Sequence, residues 1–133
     1  MNIEKIEGIG PKYAKVLRKA GIRTTNRLLK DGGSKKGRQE IAKTTGLSEK
    51  LILEWVNLSD LMRIKGVGEE YSDLLEEAGV DSVKELRNRR PDNLYKAIQD
   101  TNAKKKLVRR PPSEKEIKGW IDQAKKLPPM VTH

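Results

Sequence analysis

The chain has 133 residues, of which 36% are charged and 35% are hydrophobic, and its formal net charge is +10 at pH 7. It has no cysteine and a single histidine, His133, which excludes a disulfide framework, a thiolate metal site and a Ser-His-Asp catalytic triad. The positive excess favours a polyanionic partner, nucleic acid before an acidic protein or membrane surface, although a basic surface without a partner is also common.

Four helices are predicted in the first half of the chain, with capping residues, proline and glycine at their ends. Proline suits the first position of a helix, and glycine suits the left-handed turn that ends one. The predicted helices cover 11–20, 24–30 and 38–45, DGGSKKG (31–37) is predicted to be a loop, and the fourth helix begins after Ser48.

The fourth helix carries apolar residues at spacings of three and four, which is typical of an amphipathic helix. No break separates Trp55 from Ile64, so we expect this helix to continue into the second half of the chain and to join the two halves rigidly. A tryptophan can stack on a nucleobase, but on an apolar stripe it is more often part of the core. We therefore expect Trp55 and Trp120 to be buried.

The second half of the chain repeats the first. A shift of 58 positions aligns IEGIGPKYAKVLRKAGI (6–22) with IKGVGEEYSDLLEEAGV (64–80), and a shift of 65 aligns SEKLILEWV (48–56) with SEKEIKGWI (113–121). Two matches in the same order predict a duplication, with repeat 1 at 1–60 and repeat 2 at 61–133. The extra residues of repeat 2 fall within a basic insertion, NAKKKLVRRPP (102–112), called here the basic segment.

The predicted fold is therefore all-α, with two tandem repeats of about five short helices each, joined through a shared helix. The helices predicted for repeat 2 cover 69–78, 82–89, 92–101 and 113–126, and the basic segment is predicted to be a loop. Each repeat has a Gly-x-Gly turn directly before a helix, named hairpin 1 (6–10) and hairpin 2 (64–68).

A Gly-x-Gly turn before a helix is a candidate anion site. Two glycines around an apolar residue permit a tight turn with a positive φ angle. The helix that follows then presents its free N–H groups and the positive end of its dipole beside the turn. In repeat 1, Lys12 and Lys15 flank this position.

Hairpin 1 resembles the helix-hairpin-helix motif, through the ordered residues Ile6, Gly8, Ile9, Gly10 and Ala14. The resemblance implies that backbone N–H groups of the turn hold the phosphates of duplex DNA without reading its sequence, aided by a basic residue just after the turn. Carried over to this chain, the amides are those of Gly8, Ile9 and Gly10, and the basic residues are Lys12 and Lys15. The motif also implies a possible monovalent cation, held by the carbonyl groups of hairpin 1, as the one candidate cofactor. The whole duplicated layout resembles a prokaryotic family of domains of unknown function, which implies the fold and no activity.

Hairpin 2 keeps the turn but reverses the charge beside it. Glu69, Glu70 and Asp73 line the turn, and Ser72 replaces the small alanine of the motif. Acidic side chains satisfy the helix dipole from within the chain and would repel a phosphate. Either hairpin 2 retains only the shape needed for packing, or these three acidic residues form a docking surface for a basic protein.

Further cations are candidate phosphate contacts outside hairpin 1. They lie in SKKGR (34–38) and in the basic segment, which is either a second phosphate contact or a solvated loop. These candidates are Lys35, Lys36, Arg38, Lys104, Lys105, Lys106, Arg109 and Arg110.

No pattern in the chain indicates an active site. There is no zinc-ligand spacing and no Gly-Lys-Ser/Thr ending of a nucleotide-binding loop. No apolar run is long enough to span a membrane, and the first ten residues lack a signal-peptide pattern. We therefore expect a cytoplasmic, non-enzymatic module without a metal site that binds nucleic acid, with double-stranded DNA held by hairpin 1. The alternative is a protein-interaction module that docks a partner on hairpin 2.

Overall fold

The computed structural model describes all 133 residues, and the fold is all-helical, as predicted. A short 3₁₀ turn at Ile3–Lys5 precedes eight α-helices, and there is no β-strand. The helices are α1 (Pro11–Lys19), α2 (Thr25–Gly32), α3 (Lys35–Thr45), α4 (Glu49–Leu61), α5 (Glu69–Glu77), α6 (Val83–Leu86), α7 (Pro91–Lys105) and α8 (Glu114–Lys126).

The chain divides into two compact units, each with its own apolar core. Unit 1 comprises Met1–Asp60 together with Met130–His133, and unit 2 comprises Leu61–Pro129. Trp55 of α4 is 1% exposed and Trp120 of α8 is 4% exposed, so the prediction that both tryptophans are core residues is confirmed. The core is otherwise aliphatic, since the chain contains no phenylalanine.

Side-chain caps begin several of the helices. Each capping hydroxyl accepts the backbone N–H three residues further along, which satisfies a group that the helix itself leaves without a partner. The caps are Thr24, Ser34, Ser48, Ser82 and Ser113. Helices α1, α5 and α7 have no side-chain cap, and their N-caps are Gly10, Gly68 and Arg90.

The segment DGGSKKG is mostly helical, and the predicted loop is wrong. Helix α2 continues to Gly32 and α3 already begins at Lys35, which leaves a two-residue connection. The connection stays short because Ser34 caps α3 through the N–H of Gly37 (3.0 Å). The absence of a side chain at Gly32 also matters, because a Cβ there would lie 2.7 Å from Val56.

Three further helix ends differ from the prediction, the first being that of α6, which ends at Leu86 and not at residue 89. Helix α7 runs to Lys105, so the first part of the basic segment is helical, and Lys106 ends the helix in the left-handed conformation (φ +50°). Helix α4 ends at Leu61, before Ile64. The periodicity of α4 does not reveal this end, because Ile64 is buried beyond the helix as part of the turn that follows.

Arg38 is a buried structural residue, not a surface cation. It is 4% exposed, and its guanidinium donates to the carbonyl groups of Gly32, Gly33 and Thr132. The N–H of Thr132 returns a hydrogen bond to the carbonyl of Gly33 (2.8 Å). Burial lowers the pKa of Arg38 from its ordinary value, and the negative charge of Glu49 opposes this shift. Arg38 is therefore withdrawn from the candidate phosphate contacts.

Two glycines inside helices test this packing, because a methyl group would meet different surroundings at each. At Gly119 of α8 nothing lies within 4 Å of the Cβ position, whereas at Gly37 of α3 the carbonyl oxygen of Asp31 lies 1.9 Å from it. We expect Gly119→Ala to raise the free energy of unfolding by about 0.5–1 kcal/mol through helix propensity. Gly37→Ala should lower it by more than about 1 kcal/mol, because the corner between α2 and α3 must shift. Urea denaturation followed by circular dichroism measures both, and a stabilised Gly37→Ala variant would contradict the described corner.

Candidate nucleic-acid interface

Hairpin 1 is a tight turn anchored in the core of unit 1. The N–H of Ile9 donates to the carbonyl of Ile6 (3.1 Å), and both side chains are buried. Gly8 lies between them with a φ of +91°, as the third residue of a type II turn requires. The indole nitrogen of Trp55 lies 3.6 Å from the position that a Cβ of Gly8 would occupy. Contacts with buried residues of unit 1 therefore fix the position of this turn.

The start of α1 leaves several backbone N–H groups without an acceptor in the chain. Pro11 has no N–H, and the first N–H of the helix with an acceptor is that of Ala14, which donates to the carbonyl of Gly10 (3.0 Å). These groups and the helix dipole make this end of α1 electropositive. The N–H groups without an acceptor are those of Gly8, Gly10, Lys12 and Tyr13.

Of the three amides predicted to bind phosphate, those of Gly8 and Gly10 are unpaired and that of Ile9 is paired. The N–H of Ile9 is used inside the turn, so it is not available to a ligand. The N–H groups of Lys12 and Tyr13, which the sequence analysis did not single out, extend the row of unpaired donors into the helix.

The charges beside hairpin 1 are positive. The first turn of α1 has no acidic residue, and Lys12 and Lys15 are both exposed and form no ion pair. Arg18, one turn further along, is instead bound to Glu4 (3.3 Å) and to the side chain of Asn2 (3.0 Å). Hairpin 1 therefore brings together unpaired amides, a helix N-terminus and two free lysines.

Hairpin 2 has the same backbone as hairpin 1. The N–H of Val67 donates to the carbonyl of Ile64 (3.1 Å), Gly66 has a φ of +93°, and the indole nitrogen of Trp120 lies 3.2 Å from the Cβ position of Gly66. A tyrosine also packs on the tryptophan in both units. The ring centroids are 5.2 Å apart for Tyr13 and Trp55 and 5.3 Å apart for Tyr71 and Trp120.

Hairpin 2 differs in what surrounds that backbone. Glu69 and Glu70 are exposed in the first turn of α5 and place negative charge beside the helix N-terminus, while Asp73 is half-buried. Gln123 holds the turn, accepting from the N–H of Lys65 (2.9 Å) and donating to its carbonyl (3.2 Å). In hairpin 2, therefore, a side chain of the same unit binds the turn, and the acidic side chains beside the turn repel anions.

The cations predicted outside hairpin 1 have different surroundings. Lys35 and Lys36 are exposed in the first turn of α3, which has no acidic residue. Lys105, in the last turn of α7, forms an ion pair with Glu77 of α5. Exposed cations of the basic segment that form no ion pair are Lys104, Lys106 and Arg109.

Arg110 is occupied by a network at the start of α8. Its two terminal nitrogens donate to the two carboxylate oxygens of Glu116 (2.9 and 3.0 Å), and its guanidinium lies 5.9 Å from the ring centroid of Tyr71. Glu116 also accepts the N–H of Ser113 (3.1 Å) and completes a capping box. The Ser-x-x-Glu spacing is the sequence signal for this box.

The hydrogen bond from Arg110, followed by that from the Ser113 backbone, lowers the pKa of Glu116 to about 2. A carboxylate whose pKa is lowered on folding adds stability above its unfolded pKa, and this stability is lost as the pH falls through the folded value. We expect this contribution to disappear between about pH 4.5 and pH 2, and Glu116→Gln to flatten the decline there while lowering stability at pH 7. Thermal melts across this range measure the effect. Glu114→Gln, a neighbouring exposed change, is the control and should leave the decline unaltered.

No group of three or more His, Asp or Glu side chains is arranged to hold a metal ion. None of the helices is both long enough and apolar enough to cross a membrane. Among protein families, the model described as a domain of unknown function, DUF4332, matches residues 7–127, which include both Gly-x-Gly turns and all eight α-helices. No curated protein and no solved structure matches the chain.

Proposed function

The chain belongs to the DUF4332 family, and from the structure of hairpin 1 we propose that it is a non-enzymatic module that holds duplex DNA by its phosphate backbone. The observation that carries the proposal is the start of α1, where the N–H groups of Gly10, Lys12 and Tyr13 lack acceptors beside exposed lysines. A phosphodiester oxygen satisfies such donors and complements the helix dipole, and a lysine adds charge attraction. The turn geometry supports the interpretation of hairpin 1 as a helix-hairpin-helix.

Contacts of this kind carry little sequence information. Backbone N–H groups and lysines contact phosphate oxygens, which are the same at every base pair. The arrangement also favours duplex over single-stranded nucleic acid, because single-strand binders stack bases on exposed aromatic rings. Both tryptophans of this chain are buried, and Tyr13 and Tyr71 pack against them.

The proposal keeps further exposed cations as candidate phosphate contacts, each within its own unit. Lys35 and Lys36 lie at the start of α3 in unit 1, and Lys104, Lys106 and Arg109 lie in the basic segment of unit 2. A cytoplasmic location and a monovalent cation held by the carbonyl groups of hairpin 1 also belong to the proposal. Docking of a basic protein on hairpin 2 stays a prediction, which the exposed Glu69 and Glu70 support.

Gly10 offers a test that changes the proposed contact and leaves the fold intact. No atom lies within 4 Å of its Cβ position, and the same holds for Gly68, the N-cap of α5. Alanine at either N-cap should cost at most about 1 kcal/mol of stability. We expect Gly10→Ala to weaken binding of a 20-base-pair duplex about ten-fold, because the methyl group lies at the phosphate site, whereas Gly68→Ala leaves binding unchanged. Fluorescence anisotropy measures both affinities, and an equal effect of the two variants would contradict the assignment to hairpin 1.

The lysines beside hairpin 1 provide an independent test. We expect Lys12→Glu with Lys15→Glu to weaken duplex binding about 100-fold, because two phosphate contacts become repulsive. Lys84→Glu with Lys96→Glu makes the same change in net charge at exposed positions of unit 2 and is the matched control. If the two double variants bind DNA equally well, general charge accounts for binding and hairpin 1 is not the site.

Salt dependence estimates how many phosphates are contacted. With about four to six phosphates neutralised, the slope of log K against log salt concentration should lie near −4 to −5. The Lys12→Glu and Lys15→Glu double variant should reduce that slope by about 2. An electrophoretic shift series on single-stranded, duplex and branched DNA and on structured RNA, at two salt concentrations, identifies the preferred target. A preference for single strands would contradict the proposal.

A further inference from the structure

The starts of two helices of unit 1, α3 and α4, border the same concavity. Its volume is about 220 Å³. Lys35 is the first residue of α3, and Glu49 and Lys50 are the first two of α4, so each helix contributes its first turn. The full lining is Lys35, Arg38, Glu49, Lys50, Leu53 and His133.

Backbone N–H groups at both helix starts have no acceptor in the chain. The hydroxyl of each capping serine, Ser34 and Ser48, accepts the third N–H after it, and its carbonyl accepts the fourth. The first two N–H groups of each helix remain, and the positive ends of both helix dipoles lie beside the concavity. The N–H groups without an acceptor are those of Lys35, Lys36, Glu49 and Lys50.

A buried guanidinium in the lining is an observation independent of the helix starts. Arg38 is 4% exposed, donates only to backbone carbonyls and forms no ion pair, and its Nε N–H has no acceptor in the chain. A buried cation is usually paired with a carboxylate, because carbonyl groups do not neutralise its charge. Its burial closes Arg38 to the backbone of a duplex, as described above, but a small oxyanion inside the concavity would reach it.

The other charged side chains of the lining leave an excess of positive charge. Lys35 and Lys50 are exposed and form no ion pair. Glu49 is the one carboxylate side chain in the lining, and its charge acts on Arg38. Three basic side chains therefore surround the concavity with one acidic side chain.

We infer that this concavity is a second anion site of unit 1, which binds a small oxyanion of the phosphate type. A phosphate ion has several acceptor oxygens and a negative charge, which match unpaired N–H groups from two helices, two free ammonium groups and the Nε N–H of Arg38. The residues of this site are not those of hairpin 1, and the inference does not rest on DNA binding.

The probe is inorganic phosphate, titrated into the isotopically labelled full chain at constant ionic strength and followed by the amide resonances in NMR spectra. We expect the amides of Lys35, Lys36, Glu49 and Lys50 to shift saturably with one dissociation constant, and chloride at the same ionic strength to leave them in place. The Lys12→Glu and Lys15→Glu double variant, which changes hairpin 1, should alter this constant less than about two-fold, so failure of either site is seen separately.

Two exposed residues of the lining allow changes of opposite sign. Lys50→Gln should weaken phosphate binding about three- to ten-fold, because one charged donor is lost, and Glu49→Gln should strengthen it by a similar factor, because a repulsive charge is removed. Lys43→Gln on α3 and Glu54→Gln on α4 make the same charge changes at exposed positions outside the lining. These controls should alter the constant less than about two-fold.

The inference is overturned if the two lining variants differ no more from the wild type than their controls do. It is also overturned if chloride shifts the same amides as phosphate does, which would indicate an adventitious ion only. A third contrary result is a loss of duplex DNA binding in Lys50→Gln as large as its loss of phosphate binding, since the concavity would then belong to a nucleic-acid surface. Circular dichroism of each variant establishes that the fold is retained.

Discussion

Both units depend on the packing of a glycine with a positive φ angle against an indole ring. Gly8 lies beside the indole nitrogen of Trp55 and Gly66 beside that of Trp120, and in each hairpin an aliphatic residue before and after the glycine is buried. A side chain at either glycine would be strained by the positive φ angle, and at Gly66 its Cβ would also lie only 3.2 Å from the indole nitrogen. The helix that follows must therefore begin at the same place in both units, with its first turn facing away from the core.

This constraint explains how one backbone carries opposite charges. The turn is built from backbone hydrogen bonds and buried apolar groups, and none of these depends on the residues of the first helical turn. Lys12 and Lys15 in α1, and Glu69 and Glu70 in α5, occupy positions that the fold leaves free. Each of these helices has an ion pair near its last turn, Arg18 with Glu4 in unit 1 and Glu77 with Lys105 in unit 2. Beside the turns, Gln123 bonds the backbone of hairpin 2, whereas Lys12 and Lys15 of α1 form no ion pair.

The features that were predictable from the sequence are those that neighbouring residues determine. The Gly-x-Gly turns, the burial of Trp55 and Trp120 and the all-helical fold follow from local spacing and apolar periodicity. The role of Arg38 did not, because its acceptor at Thr132 is 94 residues away along the chain. The helical conformation of Asp31 and Gly32 is not predictable for a similar reason. Adjacent glycines favour a loop, and the helix here depends on tertiary packing against residues distant in the sequence, such as Val56. The pairing of Arg110 is not predictable from local spacing either, because Ser-x-x-Glu indicates a capping box and does not reveal that Glu116 also binds the guanidinium of Arg110.

The return of Met130–His133 to unit 1 makes unit 2 an insertion within the sequence of unit 1. During synthesis the ribosome releases all of unit 2 before the residues that supply Val131 and the Thr132 carbonyl to unit 1. Domains tend to fold as they emerge, with the amino-terminal one first. Here the last step differs from that order. Unit 1 begins first, but it reaches its final packing only after all residues of unit 2 have been synthesised.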